Sequence, residues 1–234
     1  MRRITLVAYA AGMSDLLPLF PLNTLLVPGL VLPLHVFEPR YRGLVRDLME
    51  LEDDDSREFG MIAVREGRSV EREGIDALYP VGVTTILRQV EEHADGRFDI
   101  VTTGARRFRL RSLDASEPLL RAEVDFLAEA TDGRDEVIAR RVTERFQDYR
   151  ELLGGQVQAS VGEDGIPTDP TVLSYLVTAA MVLPLDDRQS LLAAATTTAR
   201  LRLADHLLVR ELTLIGELSA MPAVDLPGVQ PSVN

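Results

Sequence analysis

Between Pro18 and Tyr41 the chain carries two apolar runs cut by Pro18, Pro21, Pro28, Pro33 and Pro39. Proline inside a helix removes a hydrogen bond and clashes with the preceding turn, and neither run is long enough to cross a membrane. Each run therefore reads as a strand, and apolar residues on odd and even positions alike predict burial on both faces. The prolines must then stand where no ladder N–H is needed, at an edge or a bulge. Pro28-Gly29 reads as a turn, with proline setting φ and glycine tolerating a positive φ. Asn23 reads as a turn former bonding nearby backbone. Pro39 suits the first position of a helix, and Tyr41, Leu44, Val45 and Leu48 follow at helical spacing. Glu38 and Arg40 flank that proline. The carboxylate reads as a helix cap; the alternative is that it orients Arg107 or a peptide ligand.

Farther along, Phe59 to Val64 reads as a short buried strand, 65–78 as a surface loop and Val81 to Val90 as a strand of β-branched residues. Asp95-Gly96 is a hairpin signal, and Phe98 to Thr103 returns. Gly104 marks a bulge or a close backbone approach before another strand, Arg107 to Leu113. In 118–127 the alternation is clear: Leu120, Ala122, Val124 and Phe126 face one way, Arg121, Glu123 and Asp125 the other. After residue 130 the period changes. Thr131 or Asp132 caps a helix whose stripe is Ile138, Val142, Phe146, Tyr149 and Leu153, stopped by Gly154-Gly155. Asp169-Pro170 starts a second helix with Leu173, Leu176, Ala180 and Leu183 inward. Asp186 and Gln189 resemble a capping box for a third, about 187–195, and Thr196 to Thr198 cap a fourth reaching Leu218. Strands first and helices second predict α+β with segregated lobes. The expected division is a loose segment 1–14, a β-rich lobe 15–130, a helical four-helix-bundle lobe 131–220 and a frayed tail 221–234. Residues 1–12 read as an upstream extension, with Met13 a natural start.

The run PLFPLN, then PG, then LPLHVFEPRY resembles the opening of the LON substrate-binding domain, the N-terminal domain of ATP-dependent Lon proteases. PVGVTTIL (80–87), GARRFRL (104–110) and PLDDRQSLL (184–192) fit the same pattern, so the resemblance runs from about Leu17 to about Leu218. It implies a PUA-like mixed β-barrel followed by helices. It also implies recognition of unfolded or exposed polypeptide, with a protease or chaperone as a partner. Pro21, Asn23, Glu38, Pro39, Arg40, Tyr41, Gly104 and Arg107 form the structural motif. The apolar residues of the opening are too dense to point inward all together. Leu25, Leu26, Val27, Pro28, Gly29 and Leu30 are therefore expected to leave an apolar patch on the surface, and such patches mark interaction sites.

Composition sets exclusions. The sequence contains neither cysteine nor lysine. Thiol chemistry, Cys-ligated metal, a P-loop lysine and the Ser–Lys dyad of the Lon peptidase are all excluded. No Gly-x-Ser-x-Gly is present either, so no catalytic residue, no cofactor and no enzyme activity are expected. The net charge of -12 disfavours nucleic acid, and the cluster Arg106, Arg107, Arg109 and Arg111 reads as the exposed face of a strand. RNA binding, through a PUA-like barrel, and a hydrolase with an unrecognised site remain the alternatives. The acidic run Glu50 to Asp55 reads as a solvated loop. His35, His93 and His206 lie in distant segments. His35 reads as a core histidine and the other two as solvated, so no metal site is expected. No membrane segment is expected, and the location is read as cytoplasmic.

Overall fold

The computed structural model describes residues 16–131, 133–153 and 165–220, with side chains as far as Glu217. The expected loose segment, frayed tail and glycine stop at 154–155 lie outside the described residues. The strands are β1 (Leu17–Leu22), β2 (Val31–Val36), β3 (Glu58–Ala63), β4 (Val81–Glu92), β5 (Phe98–Asp114) and β6 (Arg121–Phe126). The helices are α1 (Pro39–Met49), the single turn α2 (Val70–Glu73), α3 (Asp135–Leu152), α4 (Pro170–Ala180), α5 (Leu185–Ala193) and α6 (Thr197–Ala220).

The fold is α+β, built on one mixed sheet in the order β2-β5-β4-β3-β1-β6, with β5 also pairing β6. The pair β1–β3 is parallel and the others are antiparallel. This is a curled mixed sheet rather than the closed barrel expected. Residues 98–114, expected as two strands, form one long strand. Its first half pairs β2 and β4, and its second half pairs β4 and β6. Register shifts opposite Val83/Thr85 and Leu87/Gln89 let this strand bend.

β1 is buried along most of its length, as its apolar content demands. β2 is not: it lies at the sheet's edge and alternates exposed with half-buried residues. Between them, Leu30 N donates to Val27 O across Pro28-Gly29, where Gly29 has φ +80°. Proline then glycine at the two central positions fits a type II turn, whose second central residue needs positive φ. The segment before this turn crosses β5 at Gly104. A Cβ there would stand 2.2 Å from Val27 O, so only glycine permits the crossing.

The sheet separates two clusters of buried side chains. One holds Leu25, Leu26, Val27, Tyr41, Leu48 and Phe98, with the Phe20 and Tyr41 rings stacked 3.9 Å apart. The other holds Leu19, Ile62, Phe108 and Ala122. A third lies among the helices, where Ile138, Val142, Phe146, Tyr149, Leu173 and Ala180 fulfil the periodic stripes. Val177 is buried, while Leu176, expected inward, is only half-buried, and Leu201 and Leu208 of α6 complete the cluster. The helices are not the self-contained bundle expected, because Tyr175 of α4 and Leu192 of α5 are buried in the sheet's own core. Asp169 caps α4, accepting from Val172 N at 2.8 Å, and Thr196 caps α6, accepting from Ala199 N at 3.1 Å. α5 begins at Leu185 behind Pro184 instead of at a capping box. Gln189 donates across the lobes to Val81 O at 2.7 Å.

Candidate functional site

The open edge of β2 borders a concave surface. Gly29 N donates to Gly104 O and Gly104 N to Leu30 O, both at 2.9 Å. Antiparallel ladders alternate, so the even-numbered residues of β2 turn their backbone to β5. Val31, Pro33 and His35 turn theirs outward, and Pro33 is the one without an N–H. Their side chains are exposed, while Leu32 and Leu34 pack against the core. Cross-strand register places two rows on this outer face: Gln89, Val101 and Pro33, then Glu91, Asp99 and His35. A groove of about 520 Å³ lies over them. Val31, 57% exposed, and Phe37, 61% exposed, extend apolar surface at the two ends of β2. The surface thus offers apolar contacts framed by two carboxylates.

His35 was expected in the core. It is exposed because β2 is an edge strand and position 35 falls on its outer face. Nor are the histidines all apart, since the β4–β5 hairpin folds His93 back toward β2. Asp99 joins them, with His35 Nδ1 at 2.6 Å from Oδ1 and His93 Nε2 at 2.7 Å from Oδ2. Hydrogen bonds from His35 and then His93 hold the Asp99 carboxyl below the usual carboxylate range. His206 is exposed on α6.

A second constellation joins sheet to helices. Arg107, expected on an exposed face, is 1% exposed. The other face of β5 receives α5 here, and the guanidinium is its seam. Nε donates to Glu129 Oε1 at 2.6 Å, and Nη1 donates to Leu192 O at 2.8 Å and Ala194 O at 2.6 Å. Those carbonyls end α5, where the helix dipole favours a cation. Arg200, fully buried, donates to Glu129 Oε2 at 3.1 Å and lies 3.9 Å over the Tyr175 ring. Tyr175 OH also donates to Glu129. Burial pushes the Tyr175 hydroxyl upward, and the Glu129 hydrogen bond adds to the rise. Nothing in the sequence flagged Glu129, since a lone glutamate after a strand carries no local signal.

The expected surface around residues 25–30 divides in two. Leu25, Leu26 and Val27 are buried beneath the turn, packed against α1 and the sheet, so they are not the exposed patch anticipated. The small lobe accommodates them because this segment lies over Gly104 instead of continuing as a strand. Pro28 and Leu30 are half-buried and Gly29 is exposed. Asn23 is exposed and Pro21 half-buried, paired with Ile62. Glu38 occupies the cap position of α1, but its carboxylate makes no cap bond. It accepts from Arg40 Nε at 2.9 Å, and Arg40 lies 4.8 Å over the Tyr41 ring. The arginine cluster is also not a free basic patch, since Arg106 pairs with Glu58 and Arg111 with Asp125.

The fold is an α+β scaffold whose open groove lies over β2, β5 and β4. Residues 16–210 match the family described as the ATP-dependent protease La (LON) substrate-binding domain, and the chain belongs to that family. It is 30% identical over 207 residues to Lon protease 2 of Syntrophobacter fumaroxidans, covering 86% of this chain and 25% of that protease. Against Lon protease 1 of Hydrogenovibrio crunogenus it is 29% identical over 191 residues, 80% of this chain and 22% of the relative. The chain therefore spans about a quarter of the length of these relatives. Among solved structures it resembles a Lon N-terminal domain protein from Xanthomonas campestris, with TM-score 0.56 and 23% identity over 89% of this chain and 100% of that one. It also resembles the N-terminal domain of the Mycobacterium avium complex Lon protease, with TM-score 0.61 and 22% identity over 85% and 98%. These two likenesses concern the fold. Among the described residues no helix is long and apolar enough to cross a membrane.

Proposed function

We propose that the chain is a non-catalytic module that holds unfolded or exposed polypeptide segments for a Lon-type protease. The observation that carries this reading is the exposed outer face of β2, β5 and β4, which lies within the region matching the substrate-binding family. An extended segment laid across it meets Val31, Pro33, Val101 and Phe37 as apolar contacts. Glu91 and Asp99 favour basic residues beside the apolar ones. The Pro28-Gly29 turn and Leu30 lead into β2 and form one end of the same surface. Ordering an unstructured ligand costs entropy, so the binding is weak and suited to release. RNA is disfavoured by the net charge of -12 and by the pairing of the β5 arginines with carboxylates.

Phe37 is the natural anchor, an aromatic ring presented to solvent beside the groove. Phe37→Ala removes little that the fold needs. Truncating an aromatic anchor that carries binding energy costs more than about 1 kcal/mol, roughly a five-fold loss of affinity. Fluorescence anisotropy with a reduced, labelled, permanently unfolded protein gives the measurement. Unchanged affinity in both Phe37→Ala and Val31→Asp, with the circular dichroism of the parent, moves the binding surface elsewhere.

A further inference from the structure

We propose that His35, His93 and Asp99 form a binding site for a zinc-class divalent cation at the rim of the groove. The three residues come from separate segments: the edge strand β2, the hairpin turn after β4, and β5. Their ligand atoms all lie within 4.8 Å of one another. Two imidazoles and a carboxylate form a donor set suited to Zn²⁺, leaving a fourth position for water or a ligand. Metal–ligand bonds of about 2 Å require donors to close to about 3–4 Å apart, a movement of about 1 Å here. All three side chains are partly exposed, between 36% and 50%, so that movement displaces no packed neighbour.

Both imidazoles already converge on one carboxylate. Such an exposed arrangement contributes little stability by itself, because surface ion pairs are weak. A cation would take the place of the ring protons that face Asp99: a neutral imidazole shifts its proton to its other nitrogen, and only an imidazolium releases one to solvent. Charge around the site points both ways. Glu91, opposite Asp99 on β4, adds negative potential. Arg97 opposes a cation, with its Nη1 3.3 Å from His35 Nε2 and its Nε tethered to Asp95 at 2.7 Å. The arginine is half exposed, so it can turn away when His35 ligates. It acts as an attenuator of the site.

The test is isothermal titration of ZnCl₂ into the complete, tag-free chain in a non-chelating buffer. One ion per chain is expected. His93→Ala and Asp99→Asn should each weaken binding by about 10–100-fold, at least what disturbing a site's supporting residues costs. Arg97→Ala should tighten it. Histidine ring NMR signals in the unmutated chain read the same event without a variant, and those of His35 and His93 should shift while His206 stays in place. Absence of binding, binding indifferent to His93→Ala and Asp99→Asn, or perturbation of His206 alone would overturn the site.

Discussion

Replacing Arg107 by alanine is expected to lower the unfolding free energy by about 3 kcal/mol, near the lower end for breaking a buried ion pair from one side. The low end applies because Glu129 keeps side-chain exposure of 35% and can recruit water, whereas Arg107 has 1%. The larger part of the loss comes from elsewhere. The carbonyls of Leu192 and Ala194 each lose a charged donor at the end of α5, and the guanidinium leaves a hole in the core. Arg107→Lys should recover only part of the stability, because one ammonium cannot donate to Glu129 and both carbonyls in the forked geometry that arginine provides. Urea denaturation compares the three proteins. A change below about 1 kcal/mol for the alanine variant would mean that α5 is held by its apolar contacts alone.

Acid should loosen the same seam. Burial pushes the Glu129 carboxyl up, but the Tyr175 hydrogen bond and the charges of Arg200 and Arg107 outweigh it and hold the group below its ordinary 4.5. A carboxyl lowered by folding contributes stability that is complete above its unfolded value and disappears as pH falls through its folded value. The urea midpoint of the parent should therefore drop as pH descends below about 4.5, the unfolded carboxyl's value. Arg107→Ala should flatten that part of the profile, since it removes one of the groups that depress Glu129. Parallel profiles in the two proteins would assign the acid sensitivity to other carboxylates.

Gly104→Ala is the second substitution expected to be severe. Its Cβ would meet Val27 O at 2.2 Å and Val27 C at 3.0 Å, which are backbone atoms that no rotamer change can move. Overpacking costs about 1–3 kcal/mol. Separating the two segments also weakens the bonds that Gly104 exchanges with Gly29 and Leu30, each contributing about 1 kcal/mol. A melting temperature within a few degrees of the parent would show that the Leu25–Val27 segment shifts freely over β5. The opposite result identifies this crossing as what holds the edge strand in register.

The features legible in the sequence were local ones. Pro28-Gly29, Asp169-Pro170 and the stripe from Ile138 to Tyr149 depend on their immediate neighbours, and they stand as read. Gly104 was legible as a close approach, although not which segment approaches. What escaped depends on long-range placement. In Arg106-Arg107, nothing local separates the arginine that faces solvent from the one that α5 covers, 85 residues away. Leu25, Leu26 and Val27 looked too many to bury because a continuous strand was assumed, and the segment instead leaves the sheet and folds over it. His35 looked buried because VLPLHV is apolar, and only the position of β2 at the edge exposes its odd face. His93 and His35 lie 58 residues apart by number, and the β4–β5 hairpin closes that distance in space.

The proline at position 33 has one more effect. A surface of the kind proposed, open to extended chains, also risks capturing copies of its own kind, edge to edge, and growing into an insoluble ribbon. On β2 the outward-facing donors are limited to Val31 and His35, because Pro33 between them has none. A visiting strand can therefore form only an interrupted ladder, and its residence relies on side-chain contacts that reverse easily. Under the proposed function such an edge would admit a guest briefly, and the same gap disfavours the unbroken ladder on which ribbons grow.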